Sequence, residues 1–217
     1  TSDVEGQIAS AMMYVTNEDL PVMYVMSGHG EIALTDTQKG LITKNNVDLV
    51  DFDALTENSV PEDCDILMIN YPSYDFTAEQ VEVVKNYMAN GGKVLMSLDY
   101  MAANFPNLNA LLNYYGVEMV QGIVYETDSN HYAQTLPYCL IPMMADHAIT
   151  AEIQGVKRLF VPQATGLRMM DSKRSTITAT ELLKTTNGAY SKVDLYSMGE
   201  TKSEEDIDGP FAVGLCV

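Results

Sequence analysis

A chain of 217 residues and 23.9 kDa, 47% hydrophobic and 19% charged, is long enough for one large domain or two small ones around a real core. Lys+Arg 12 against Asp+Glu 30 gives a net charge of -18 and a pI near 4.2, which argues against nucleic acid and anionic lipid surfaces as partners. No apolar run approaches the ~18 residues of a spanning helix, and Cys64, Cys139 and Cys216 lack the spacing of a zinc site or disulfide framework.

The periodicity predicts a first helix over Asp3–Thr16, with Val4, Ile8, Met12 and Val15 on one face. After Pro21, Val22–Ser27 reads as a buried strand ending in the turn Gly28-His29-Gly30. Thr35 with Gln38 forms a capping box for a helix from Asp36 to about Asn45. A strand is expected at Val47–Phe52, then a connector containing Pro61, then the strongly apolar strand Asp65–Asn70. Thr77 with Gln80 is a second capping box, and that helix carries Val81, Val84 and Met88 to a stop at Asn90-Gly91-Gly92. Lys93–Leu98 is the next strand. Asn104 and Pro106 open a helix bearing Leu108, Leu111, Leu112 and Tyr115, ended by Gly116, and Val117–Tyr125 reads as one further strand.

Helices alternating with continuous apolar strands imply crossover units on a parallel sheet covered on both faces. The expected fold is therefore α/β, with a doubly wound, mostly parallel sheet over residues 1–127. Beyond about Asp128 the rhythm changes. Short strands at Arg158–Pro162, Gly166–Met170, Thr176–Thr180, Val193–Met198 and Phe211–Val217 suggest a β-rich extension over 128–217. The chain opens at Thr1 without a methionine, which suggests an excised piece with flanking segments outside it.

Ligands of open α/β sheets gather at the carboxyl ends of the strands. Gly28, His29, Gly30 and Glu31 should project there after the first strand, Asn70, Tyr71 and Ser73 after the third, and Asp99 after the fourth. Together they offer imidazole, carboxylate, hydroxyl and amide groups. The same residues also serve a purely local purpose: glycines supply positive φ in a tight turn, and Asp99 caps the next helix. Gly-His-Gly is not a dinucleotide or P-loop motif, and Glu31 beside it repels phosphate. There is no GxSxG elbow, and Cys64 lies at the wrong end of its strand, so a hydrolase reading rests on Ser73, His29 and Asp99 alone. His29, His131 and His147, with Glu31, Asp99 and Asp146 as carboxylates, show no paired metal-ligand spacing, and no cofactor is expected. The acidic run Glu204–Gly209 lacks the spacing of a calcium loop and reads as a solvated loop.

Several phrases in order carry a resemblance. They are Val25-Met26-Ser27-Gly28-His29-Gly30-Glu31, Val60 through Ile69, Asn90-Gly91-Gly92-Lys93-Val94-Leu95 and Asp146-His147-Ala148-Ile149-Thr150. Leu182-Leu183-Lys184-Thr185-Thr186 and Gly209-Pro210-Phe211-Ala212-Val213 complete the set. As a set they resemble the GldG-like, gliding-motility-type auxiliary components of ABC transporters. The resemblance implies a core similar to the flavodoxin-like or class I glutamine-amidotransferase-like fold, without the amidotransferase nucleophile. It implies a non-catalytic domain on the extracytoplasmic side of a bacterial membrane, tethered by transmembrane helices outside this chain. Permease and ATPase subunits would be its partners, with a small solute as a further ligand. The family pattern would continue beyond Val217 with further strand and helix.

Overall fold

The computed structural model describes residues 20–155, 158–196 and 201–217; the helix expected over Asp3–Thr16 lies outside the described residues. The protein is mixed α/β, with one four-stranded parallel sheet and three antiparallel sheets. The chain divides into two compact units, one ending at Leu98 and the other beginning at Asp99.

In the first unit, β1 (Val22–Ser27), β2 (Asp48–Asp53), β3 (Ile66–Asn70) and β4 (Lys93–Ser97) pair in the order β2-β1-β3-β4, all parallel. The central strands β1 and β3 are apolar up to their last residues, Ser27 and Asn70, because both of their faces are covered. Met23 and Met68 point to one face, where they meet Leu34 and are joined by Val25, Leu49 and Ile66. Ile42 packs in the same cluster, so α1 (Asp36–Lys44) lies on this face. Alternation sends Met26, Leu67 and Ile69, all buried, to the other face. The second helix, α2 (Ala78–Ala89), buries Val81 and Val84. The step from β1 to β2 runs opposite to the step from β3 to β4, and right-handed crossovers in opposite directions lay their helices on opposite faces.

Both capping boxes form as expected. Thr35 and Gln38 cap α1, Thr77 and Gln80 cap α2, and each pair exchanges both reciprocal hydrogen bonds. One expectation fails. β4 is an edge strand with no buried residue, and Leu95 is half exposed, so the strand expected at Lys93–Leu98 is not covered on both faces as β1 and β3 are. Only α1 and α2 accompany the parallel sheet among the described residues, a sparser cover than a complete doubly wound fold carries.

The second unit opens with a 3₁₀ turn, Tyr100–Asn104, and α3 (Pro106–Tyr114), which buries Leu108 and Leu111. The single strand expected over Val117–Tyr125 is two: β5 (Val117–Met119) and β6 (Ile123–Tyr125). Val117, Met119, Val120, Ile123 and Val124 are all buried, so the stretch reads as one apolar strand. Gly122, at φ +93, turns the chain between them, and each half joins a different sheet. The remaining strands are β7 (Tyr132–Ala133), β8 (Leu136–Leu140), β9 (Met143–Met144), β10 (Val161–Pro162), β11 (Leu167–Met169), β12 (Thr180–Lys184), β13 (Tyr190–Lys192), β14 (Ile207–Asp208) and β15 (Ala212–Cys216). They form the antiparallel sheets β10-β8-β7, β5-β11-β15-β12-β9 and β14-β13-β6.

Two late strands are displaced from their expected positions. The strand expected at Thr176–Thr180 begins only at Thr180 and continues to Lys184, where Leu182 is buried. The one expected at Val193–Met198 sits at Tyr190–Lys192, whose three residues are all buried; 197–198 lie outside the described residues. A core of Val120, Val124, Leu140, Ala189 and Phe211 joins segments from across this unit.

Candidate functional site

The chain leaves β1 towards β2 and leaves β3 towards β4, so the switch in strand order lies between β1 and β3. The loops after these two strands are tied together there. The backbone N–H groups of Ser73 and Tyr74 both donate to the His29 carbonyl, at 2.8 and 3.0 Å. Ser73 Oγ donates to the Gly30 carbonyl at 2.9 Å, and Asn70 Nδ2 donates to the Ile32 carbonyl at 2.6 Å. Ile32 N–H returns a bond to Asn70 O at 3.0 Å.

Within this frame the His29 side chain is 4% exposed, its ring stacked on Phe76 with centroids 4.2 Å apart. Its Nδ1 faces Glu31 Oε1 at 3.2 Å, its Nε2 faces Gln80 Oε1 at 2.9 Å, and its backbone N–H donates to Glu31 Oε2 at 2.7 Å. Gln80 is held from two further sides. Its Oε1 accepts from the Thr77 backbone N–H at 2.8 Å, and its Nε2 donates to the Ala54 carbonyl at 2.9 Å. Those backbone partners have fixed donor and acceptor roles, so the amide has only one orientation. His29 Nε2 must donate to Gln80, and Nδ1, facing a carboxylate, donates as well. The arrangement favours the doubly protonated ring.

Burial by itself disfavours that cation. The hydrogen bonds to Glu31 and Gln80 and the Glu31 charge outweigh it and raise the His29 pKa above 6.5. Burial likewise works to raise the Glu31 pKa, but the His29 ring and backbone N–H groups hold its carboxyl below 4.5.

The expected crevice residues therefore divide. Gly28, His29, Gly30, Glu31, Asn70 and Ser73 are joined in or beside one hydrogen-bonded cluster at the sheet's carboxyl end. Tyr71 is beside it, exposed, and held at φ +52 in the left-handed region, its N–H donating to Ser97 O at 2.9 Å. Asp99 belongs to the second unit, where its Oδ1 accepts from the Met101 N–H at 2.9 Å and caps the 3₁₀ turn. The hydrolase arrangement gains nothing from this geometry. Both ring nitrogens of His29 are engaged, by Glu31 and by Gln80, and Ser73 Oγ is turned to the Gly30 carbonyl, so no hydroxyl faces the ring as a triad requires.

Sequence reasoning missed Phe76 and Gln80. The Thr77–Gln80 capping box was the available signal, because it places Gln80 in the first turn of a helix rising from this end of the sheet.

Among the described residues no group of three or more His, Cys, Asp or Glu side chains converges on a metal position. His131 Nδ1 lies 3.1 Å from the Ile141 carbonyl, and His147 Nδ1 accepts from the Ile149 N–H at 3.2 Å. The run Glu204–Gly209 is not wholly a solvated loop. Asp206 is buried, accepts from the N–H groups of Ser203 and Val193 at 2.8 and 3.0 Å, and faces Lys192 Nζ at 4.0 Å. Burial acts to raise its pKa, and these bonds outweigh burial and lower it. No helix among the described residues is long and apolar enough to cross a membrane.

A solved structure described as mmIFT52 N-terminal domain is similar in fold, with a TM-score of 0.58 and 19% identity over 77% of this chain and 74% of that one. No curated protein matches the chain. A family model described as an ABC-type uncharacterized transport system matches residues 20–213, so the chain belongs to that family of transporter auxiliary components.

Proposed function

We propose that this is a non-catalytic, GldG-like auxiliary domain that binds a partner at the carboxyl end of its parallel sheet. Family membership supports the transporter role. The observation that carries the rest is the engagement of both His29 ring nitrogens, by Glu31 and Gln80, which gives the most reactive-looking motif of the chain a structural role. The strand order β2-β1-β3-β4 fits a flavodoxin-like sheet reduced to four strands, with Gly28, His29, Gly30, Glu31, Asn70, Tyr71 and Ser73 forming its usual ligand-facing rim. On this reading the domain sits outside the cytoplasm beside permease and ATPase subunits, tethered by membrane helices. Residues 128–217 add a β-rich extension.

Co-purification tests the reading. The chain, expressed with permease and ATPase subunits of an ABC transporter from the same genome, should be retained by an affinity tag on the permease and should show no ester or amide hydrolysis alone. Loss of retention under mild detergent, or turnover abolished by Ser73→Ala, would sink it.

A further inference from the structure

We infer that the rim around the His29–Glu31 pair is a docking surface for a cationic, partly apolar polypeptide segment. The inference rests on the partner-binding reading above and adds the chemistry of the partner. Four large side chains stand exposed on the rim: Leu55 at 68%, Tyr74 at 70%, and also Ile32 and Tyr71. They flank one turn. A Cβ on Gly28 would lie 2.9 Å from Leu55 Cγ, and one on Gly30 would lie 3.0 Å from the Tyr74 ring. Ile32 is bonded through its backbone to Asn70, which precedes Tyr71.

The backbone beneath them is rigid. The bonds from Ser73, Tyr74 and Asn70 staple the two loops, and every buried side-chain nitrogen and oxygen among the described residues has a partner. A ligand therefore has nothing buried to satisfy; it meets aromatic and aliphatic side chains already held in place. Exposed tyrosines on a rigid frame are the residue type that anchors protein interfaces. Tyr71 keeps a left-handed backbone that an ordinary side chain pays for in strain, which is expected where a side chain is being presented.

Charge selects the partner. Asp53 Oδ1 accepts from the Leu55 N–H and Glu57 Oε1 from the Asp53 N–H, so two carboxylates adjoin Leu55. Asp75 follows Tyr74, and exposed Glu79 lies in the first turn of α2. Residues 20–98 contain no arginine. Lys44, Lys85 and Lys93 sit on the parts of α1, α2 and β4 directed away from this end, and Lys39, in the first half of α1, alone of these lysines lies toward it, outnumbered by the carboxylates Asp53, Glu57, Asp75 and Glu79. Aromatic faces beside carboxylates favour Arg and Lys side chains through cation–π and charge-assisted contacts. A polypeptide fits better than a small solute, because these side chains are spread over an open rim. The cavity of about 490 Å³ lies at the opposite end of the sheet, between Cys64, Asp65, Tyr87 and Lys93.

The test is a titration of the full chain with a capped peptide of alternating Arg and Leu, followed by amide NMR. Peptides with Glu for Arg and with Ser for Leu are the controls. We expect saturable binding by the Arg–Leu peptide, with shifts concentrated at 28–32, 53–57 and 71–75. Affinity should fall at least about tenfold in the Leu55→Ser, Tyr74→Ser double variant, and also in Glu57→Lys or at raised ionic strength. The control peptides should bind more weakly. Unchanged affinity in the double variant, or shifts spread over the whole acidic surface, would overturn the inference, as would equally tight rim binding by free argininamide. If the peptide fails while the chain still co-purifies with permease and ATPase, only the cationic-segment inference falls; loss of co-purification removes the transporter reading itself.

Discussion

His29 Nε2 lies 2.9 Å from Oε1 of Gln80, the same oxygen that accepts the Thr77 N–H at the start of α2. One side-chain amide thus caps a helix, holds the loop at Ala54 through its Nε2, and calls for a proton on Nε2 of a buried histidine. The consequence is a buried His29–Glu31 pair at the carboxyl end of the parallel sheet in an acidic protein.

That pair should be visible in the pH dependence of stability. His29 titrates above its ordinary 6.5, so its contribution is complete below the unfolded value and lost as pH rises through the folded one. Glu31 titrates below 4.5, so its contribution is complete above the unfolded value and lost as pH falls through the folded one. The stability gap between wild type and His29→Asn, measured by urea denaturation, should be widest between about 4.5 and 6.5 and narrow above that window. A gap that widens with rising pH, or an NMR titration midpoint for His29 at or below 6.5, contradicts the imidazolium assignment.

The two capping boxes should not be equivalent. Gln38 caps an exposed helix start, whereas Gln80 also serves His29 and Ala54. Gln38→Ala should cost about 1 kcal/mol or less. Gln80→Ala strands several polar groups at once and should cost about 2–3 kcal/mol. Chemical denaturation of both variants decides it, and equal losses would mean that the His29 contact carries no weight.

Two glycines with similar φ should respond very differently to alanine. Gly91, at φ +94, has nothing within 4 Å of a would-be Cβ, so Gly91→Ala should cost only about 1 kcal/mol from backbone strain. A Cβ on Gly122 would fall 2.2 Å from the Lys192 carbonyl oxygen, which belongs to the neighbouring strand β13. Gly122→Ala should cost about 3 kcal/mol or more. Thermal melts of the two variants within a few degrees of each other would refute the close approach of β6 and β13.

The cysteines should react unequally. Cys64, Cys139 and Cys216 are unbridged, and Cys64 is buried with its Sγ 3.4 Å from Tyr87 Oη. Burial, the largest influence, pushes the Cys64 thiol pKa up and keeps its thiolate scarce. All three should titrate under denaturing conditions without reductant. In the folded chain Cys64 should be the slowest to be modified, and mass spectrometry finding it alkylated first would refute its burial.

Local signals in the chain located the elements that build the rim. Thr35–Gln38 and Thr77–Gln80 each fold within four residues, so the starts of α1 and α2 follow from sequence alone. The apolar runs at Val22–Ser27 and Ile66–Asn70 likewise announce central strands, because only a strand covered on both faces tolerates them. The glycines of the Gly-His-Gly turn are positive in φ, as a tight turn requires. What these signals could not supply was the partner of each side chain. Gln80 is 51 residues from His29, and Lys192 meets Asp206 only because β14 pairs with β13. The short antiparallel strands of the second unit were legible only in part for the same reason. Strands of two to five residues carry little periodicity of their own, so long-range pairing decides where each begins, and Gly122 breaks what reads as one strand because Lys192 must pass beside it. Composition and local pattern determined that the chain is acidic, mixed α/β and built around a parallel sheet. Tertiary structure alone decided that His29 is buried with both ring nitrogens engaged and its pKa raised, since the Gln80 acceptor that meets Nε2 comes from a segment distant in sequence.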